Sequence, residues 1–424
     1  MKSKQAQEFK ETEIGKIPAD WTVEKLQDNL IIKGRIGWKG LKKSEFSETG
    51  DCIIVNGTDI KNGKINWNSC LRIPKWRYDE SPEIKLRNGD ILMTKDGTIG
   101  KTCFLYDLTE NATVASGIFV IRNHSEILLQ NFFFVYLNSF YFKALVNTRI
   151  EGSVIPHLYQ RDLKQLLIPL PTLPEQEKIC SHIENLNSKI KNLQNQNKIL
   201  EQTARAIFKS WFVDFDGQTE FEDSELDQIP KGWKVDKISS VCDTFGGGTP
   251  STKNPDYWNG NNHWLIPSDL TKSGRLFSVD SKRKITDEGL KNCASELHPE
   301  NSILMTSRAT IGVFSFNKIP VATNQGFIVI RPNNPNHLYY LFLNFFSRVN
   351  EFINEANGTT FLEISRGRFR QLPILIPPSE LLDKFQHKIK CFFENQFYNE
   401  QMIESLTKIR DALLPKLMSG EIRV

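Results

Sequence analysis

A chain of 424 residues, 39% apolar and 25% charged, has a normal globular balance and room for two to four domains at roughly 150 residues each. A net charge of +4 is too small an excess to establish a nucleic-acid partner by itself. The seven cysteines are odd in number and never stand at C-x-x-C spacing, which argues against a disulfide framework or a zinc site and for a reducing cytosol.

The N-terminal stretch MKSKQAQEFKETEIGK is hydrophilic and does not read as a signal peptide. The apolar runs FFFVYL (132–137) and LYYLFL (338–343) fall short of the roughly 20 residues that span a bilayer, so a cytoplasmic protein without membrane association is expected. The chain opens with IGKIPADWTVEKL (14–26). A mixed region of strands and loops leads to ILMT-KDG-TIG (91–100), then FVIR (119–122), an aromatic helix-like run, and the proline-bounded strand KQLLIPLP (164–171).

A long helix follows. TLPE (172–175) reads as a T-x-x-E capping box with proline in the first turn. Ile179, Ile183, Leu186, Ile190, Leu193, Asn197, Leu200, Ala204, Ile207 and Trp211 then alternate steps of four and three, an a/d seam with one polar interruption. About 37 residues of helix would extend roughly 55 Å.

The same parts then recur in the same order. LDQIPKGWKVDKI (226–238) repeats the opening, with Trp233 in the place of Trp21. ILMT-SRA-TIG (303–312) repeats the second block, IVIR (328–331) the third, and RQLPILIP (370–377) the strand. A second polar helix begins near Ser379, with the seam Phe385, Ile389, Phe392, Gln396, Asn399, Ile403, Leu406, Arg410, Leu413 and Leu417. Gly420 lies just past its end, where a C′ glycine belongs. Whole domains are duplicated, and the two long helices are expected to bury their seams on one another as an intramolecular coiled coil.

Two similar domains on a rigid spacer suit two similar targets at a fixed separation, and DNA half-sites are such targets. The set of motifs resembles the specificity subunit of type I restriction–modification systems. The resemblance covers nearly the whole chain. It rests on the two I-P-x-x-W openings, GGGTPSTKNPDYWNG (246–260), the doubled ILMT-xxx-TIG, IPLPTLPEQEKI (168–179), AIFKSWFVDFD (206–216) and LLPKLMSGEIRV (413–424).

The resemblance implies an α+β fold. Residues 1–171 and 223–378 would be two α/β target-recognition domains, each reading one half of a bipartite DNA sequence. Residues 172–212 and 379–424 would be antiparallel spacer helices, with 213–222 as a linker. The helices would set the gap between half-sites and dock two modification subunits that methylate adenine. S-adenosylmethionine, ATP and Mg²⁺ would belong to those partners and to an ATP-dependent restriction subunit. The chain itself would hold no cofactor, no metal and no catalytic centre.

Two motifs imitate catalysis. NPDY (254–257) departs from the N-P-P-Y pattern that grips a flipped base at Asp256, and FGGGTP (245–250) does not open a helix, so a turn is the better reading. Pro255-Asp256 with Asp280-Ser281-Lys282 outlines a P-D…D-x-K nuclease, a pair of short motifs that arises readily by chance. No P-loop is present.

Phosphate and base contacts call for Lys, Arg and small polar residues. The candidates in the first copy are Lys33, Arg35, Lys39, Lys42, Lys43, Arg72, Arg77 and Lys95. Those in the second are Lys272, Arg275, Arg283, Ser307, Arg308, Arg366, Arg368 and Arg370. Lys95-Asp96-Gly97 and Ser307-Arg308-Ala309 are variable triplets inside a repeated frame, which is how two readers on one scaffold would see different bases.

Overall fold

The structure is a computed structural model that describes residues 8–36, 40–61, 63–149, 156–358 and 361–424. The chain divides into two compact units, Met1–Lys189 with Ser405–Val424, and Ile190–Glu404. Each contains part of both long helices, Leu173–Phe212 and Ser379–Met418, which are 40 residues apiece. At 1.5 Å per residue each runs about 60 Å. No helix among the described residues is long and apolar enough to cross a membrane.

In the first unit, among the described residues, strands Thr102–Phe104, Ile91–Thr94, Ile118–Asn123 and Leu30–Gly34 form an antiparallel sheet in that order. Ala112–Val114, Cys52–Val55 and Leu71–Ile73 form a second, mixed sheet. The strand Ile91–Thr94 is buried at every position. Its pleat sends alternate side chains to opposite faces. Ile91 and Met93 join Phe119, Ile121, Phe132 and Phe133 beneath the helix Gln130–Leu137. Leu92 joins Ile118 and Val120 against Ile53, Val55, Ala112 and Val114 of the second sheet. A strand sandwiched between a helical layer and a sheet must be apolar on both faces, which accounts for the unbroken ILM run. Each such side chain contributes roughly 1.5–3 kcal/mol by leaving water.

The second unit repeats the plan. Cys242–Gly246, Phe327–Pro332, Ile303–Thr306, Phe314–Asn317 and Phe277–Ser278 make the large sheet, and Arg283–Ile285, Trp258–Leu265 and Val321–Thr323 the small one. Ile303 and Met305 face a core shared with Leu341, Phe342 and Phe345 of the helix Leu338–Ser347. Leu304 faces Leu265 and Val321 on the other side. The repeated sequence is therefore a repeated three-layer packing. Only glycine fits at Gly247 in FGGGTP, because a Cβ there would lie 2.1 Å from the Asn324 carbonyl oxygen.

Within the second unit Phe212 meets Phe385 at 4.8 Å between ring centroids, and Asn197 meets Gln396 and Asn399. Positions rise along one helix as they fall along the other, so the helices run antiparallel. The polar interruption in the seam is a matched layer: the Asn197 carbonyl accepts from Gln396 Nε2 at 3.0 Å, and its Oδ1 accepts from Asn399 Nδ2 at 2.8 Å. Three polar residues bonded to one another at one level penalise a shift of register, although Gln396 Oε1 itself is left without a partner. In the first unit Ile179 and Ile183 pack with Leu413, Leu417 and Met418. There Arg410 donates to Asn187 at 3.1 Å.

Of the expected seam, Ile179, Ile183, Ile190, Leu193, Phe385, Ile389 and Leu417 are buried, and Leu186, Leu200, Ile207, Phe392, Ile403, Leu406 and Leu413 are half-buried. Three buried aromatic residues nevertheless stand one position along from the expected seam. Phe208, Phe212 and Phe393 are buried where Ile207, Trp211 and Phe392 are only half-buried. At these ends the helices pack against the sheet-and-helix core as well as each other, and the apolar stripe turns toward that larger core.

The expected capping box is also redirected. Glu175 is 5% exposed and accepts from Trp21 Nε1 at 2.9 Å and from the Arg423 guanidinium. Arg423 in turn pairs with Asp20 at 2.8 Å. Gly420, at φ +70°, makes the tight pass that brings the C-terminal tail onto the first I-P-x-x-W motif, and a Cβ there would lie 2.3 Å from Pro18 Cγ. In the second unit Trp233 is met instead by Phe215, at 5.5 Å, just past the central helix. Each tryptophan thus receives the end of a long helix.

Candidate nucleic-acid interface

The ILMT-xxx-TIG block is a loop with the same internal wiring in both units. Thr94 and Thr306, 1% and 0% exposed, place their hydroxyls across the loop base. Each hydroxyl donates to the carbonyl four residues on, Thr98 or Thr310, and accepts the Lys101 or Val313 N–H at 3.0 Å. Lys95 and Ser307 amides bond to the Gly117 and Gly326 carbonyls at 2.9 Å. Gly97 and Ala309 amides bond to the Pro156 and Leu362 carbonyls at 3.1 and 2.9 Å. Gly97 has φ +65° and Ala309 φ +61°, so the second copy holds a non-glycine residue in left-handed backbone. The frame is fixed and the tip varies. Asp96 is hydrogen-bonded to His157, whereas Arg308 is half exposed with its guanidinium 3.3 Å from Glu363.

Replacing Thr306 by valine keeps the shape and removes both hydroxyl bonds. The variant is expected to lose about 1–3 kcal/mol, with faster hydrogen exchange at the Val313 amide. Unchanged exchange there would show that the hydroxyl does not hold the loop.

The other basic candidates separate into open and committed groups. Lys33, Lys42, Lys272, Arg283 and Arg366 are exposed, and Arg370 is half-buried. Arg283 lies 5.8 Å from the Trp258 ring, and Lys95, half-buried, 5.2 Å from the Phe119 ring. Lys39 lies outside the described residues, as does the side chain of Lys43.

Arg35 requires a correction. It is 3% exposed and spends its guanidinium on the Val114 carbonyl, Ser81 and Thr113, so it joins the two sheets instead of facing a ligand. Burial lowers its pKa, and the nearby Arg77 charge adds to that. Arg77 is tied to Glu45 and Glu80 at 2.7 Å, and its hydrogen bonds hold the Glu45 carboxyl down at about 2. Arg275 pairs with Glu404 at 2.7 Å beside Glu400, which accepts the Leu276 N–H, and so it fastens that segment to the C-terminal helix. Arg72 pairs with Glu110 at 2.8 Å and Arg368 with Glu355 at 2.6 Å. Ser307 is buried at 3% and serves the loop frame.

In the second unit the loop tip opens onto a concavity of about 590 Å³. Arg308, Ala309 and Thr310 form one side, Asn324, Gln325 and Gly326 another, and Ser268 and Thr271 of the helix Pro267–Ser273 a third. Phe361, 60% exposed, stands at the edge. Asn324 and Gln325 were not among the sequence candidates. The signal was available: ATNQGF (322–327) stands against TVASGI (113–118) just before the repeated V-I-R, so Asn324 and Gln325 replace Ala115 and Ser116 within a repeated frame.

NPDY is a turn. Asn254 Oδ1 accepts from the Asp256 N–H at 3.1 Å, and the Asp256 carbonyl accepts from Thr286 at 2.8 Å. The Asn254 side chain caps a short 3-10 turn, Pro255–Tyr257, which uses its acceptor locally.

A family model described as the type I restriction modification DNA specificity domain matches residues 18–202 and again residues 230–411. The chain belongs to this family. It holds two specificity domains. Among curated relatives, the MjaIX specificity subunit of a type I restriction enzyme from Methanocaldococcus jannaschii is 30% identical across 98% of this chain and 97% of its own. The HindI specificity subunit from Haemophilus influenzae is 24% identical across 90% and 96%. The crystal structure of the S subunit of a type I restriction–modification system from M. genitalium shares the fold, with a TM-score of 0.59 at 15% identity, over 94% of this chain and 96% of that one. The loop frame described above therefore lies inside each matched specificity domain, at 91–100 and 303–312.

Proposed function

We propose that this chain is the sequence-specific DNA-binding subunit of a type I restriction–modification complex, and that each specificity domain reads one half of a bipartite target in double-stranded DNA. The observation that carries this reading is the two-copy family match over residues 18–202 and 230–411. The paired long helices serve as the spacer that sets the gap between half-sites. Their outward faces dock two methyltransferase subunits, and restriction subunits complete the complex. S-adenosylmethionine, ATP and Mg²⁺ act in those partners, and the chain directs adenine methylation or cleavage without a catalytic centre of its own. The matched Asn197–Gln396–Asn399 layer supports a spacer of fixed register, since helices free to slide would not set a distance.

The test is to map methylated adenines in cells that carry the chain with the methyltransferase of its own system. A bipartite motif with one fixed gap is expected. A single continuous motif would end the two-reader proposal. The spacer role has a separate test at Leu193, which is 5% exposed in the helix seam. Leu193→Glu is expected to admit neighbouring gap lengths while both half-sites stay unchanged. A variant that keeps one gap and merely loses folded protein would remove the helices from that role.

A further inference from the structure

We infer that the concavity at the loop tip of the second unit is the base-reading cleft for one half-site, with Arg308 reading a G·C pair and Gln325 an adjacent A·T pair. This inference rests on the proposal that the chain recognises DNA, and it names the groups that set the sequence.

Three observations converge on the cleft. First, it gathers hydrogen-bonding groups of the kinds that discriminate base edges. A guanidinium fork matches O6 and N7 of guanine, and a carboxamide matches N6 and N7 of adenine. Arg308 and Gln325 both line the concavity, and both side chains are exposed. The other charged candidates of this unit that pair tightly, Arg275 and Arg368, are held at 2.6–2.7 Å by carboxylates. Arg308 meets Glu363 only at 3.3 Å, a loose surface pair that a base edge would displace at little cost.

Second, the reading groups are held in place. Thr249 donates to Gln325 Oε1 at 2.7 Å, which orients the amide and occupies one lone pair of that oxygen, so the second lone pair and Nε2 are the groups left to accept from adenine N6 and donate to N7. The Asn324 side chain accepts the Gly326 N–H at 3.0 Å and braces the turn beneath Gln325. Arg308 is carried on a tip whose flanks are fixed by the Thr306 hydroxyl and by the Ala309–Leu362 hydrogen bond. Preorganised donors discriminate better, because less freedom is lost on binding.

Third, the first unit keeps the frame and changes these groups. Asp96 stands where Arg308 does, and Ser116 where Gln325 does. A carboxylate accepts from the cytosine N4 amine and cannot substitute for a guanidinium on guanine. The two copies are thus wired alike and armed differently at the same two places. Phe361, 60% exposed at the rim, offers an apolar surface suited to a thymine methyl group.

The experiment is adenine-methylation mapping of cells that carry the full chain and its own methyltransferase, with R308A, R308K and Q325A compared with wild type. For R308A, discrimination at one G·C position in one half of the motif is expected to fall roughly 5- to 150-fold, while the gap and the other half stay unchanged. R308K is expected to lose the same discrimination, because an ammonium keeps the charge and lacks the fork. Q325A is expected to relax the neighbouring A·T position. If R308A keeps the motif and lowers methylation equally at every site, with R308K restoring it, Arg308 contacts phosphate and the assignment is overturned while the two-reader proposal stands. If changes appear in both halves of the motif, the assignment to this unit is overturned as well. A wild-type chain that yields no bipartite motif defeats the underlying proposal, and the inference with it.

Discussion

Replacing Phe385 by alanine is expected to destabilise the second unit by about 3–5 kcal/mol. Phe385 is 0% exposed at the start of the C-terminal helix. Its ring lies 4.8 Å from Phe212, 5.8 Å from Trp211 and 6.2 Å from Phe208, all on the central helix. Truncation would open a void among rings that already pack edge to face, and neighbouring backbones in regular helix cannot collapse to fill it. Denaturant unfolding followed by tryptophan fluorescence measures the loss. Ile199→Ala, at a residue 61% exposed on the same central helix, is the control and is expected to stay within about 0.5 kcal/mol of wild type. If the two variants behaved alike, the aromatic joint would not be what ties the helices to this unit.

Acidification should weaken the second unit over a defined window. His298 is 0% exposed, and burial pushes its pKa from 6.5 down to about 4, with the Arg331 charge acting in the same direction. Arg331 Nη2 lies 2.8 Å from His298 Nδ1, the Phe245 ring stands 5.4 Å away, and Glu296 opposes the shift only in part. The folded state thus refuses a proton that the unfolded chain accepts. Above pH 6.5 both states are neutral and the full stability is present. As pH falls from 6.5 toward 4 the unfolded chain binds the extra proton, and about 3 kcal/mol is lost at roughly 1.36 kcal/mol per pKa unit. His263 and His337 are also lowered by burial and steepen the same window. The check is unfolding free energy against pH for wild type and for His298→Gln. The variant is expected to have a much flatter slope between pH 6.5 and 4. Parallel slopes would show that His298 takes up its proton in the folded protein as readily as in the unfolded chain.

The two units share residues that packing constrains tightly, and those residues are legible in the sequence. The duplication was visible because each ILM run must satisfy two apolar layers, and few residue types do so. The threonine that follows closes the loop in both copies, and the TIG supplies the turn back. The long helices were visible because a seam that repeats every three or four residues is a local signal along hundreds of atoms of chain. Even the polar break at Asn197 was readable as a break, and its partners on the second helix were in the expected seam at Gln396 and Asn399.

Charge was a weaker guide. Arg35 and Arg77 stand in the basic stretches that looked most like phosphate ligands, yet one is buried under two hydroxyls and a carbonyl and the other is ion-paired twice. Arg275 is taken by Glu404, 129 positions away. Nothing in a linear stretch distinguishes an arginine that will meet a distant carboxylate from one that will meet solvent.

The duplication, the two long helices with their seam, and the repeated frames around a variable tip are legible along the chain, because they depend on periodicity and on residue types at fixed spacing. Which cations remain available and which polar side chains share a cleft depends on packing between distant segments. Arg308, Gln325 and Ser268 lie on three separate segments, and they line one concavity because Thr306 pairs with Phe327 in the large sheet and Leu265 with Thr323 in the small one, which brings the loops beyond those residues together. Non-local pairing of strands sets that convergence, and no local pattern encodes it.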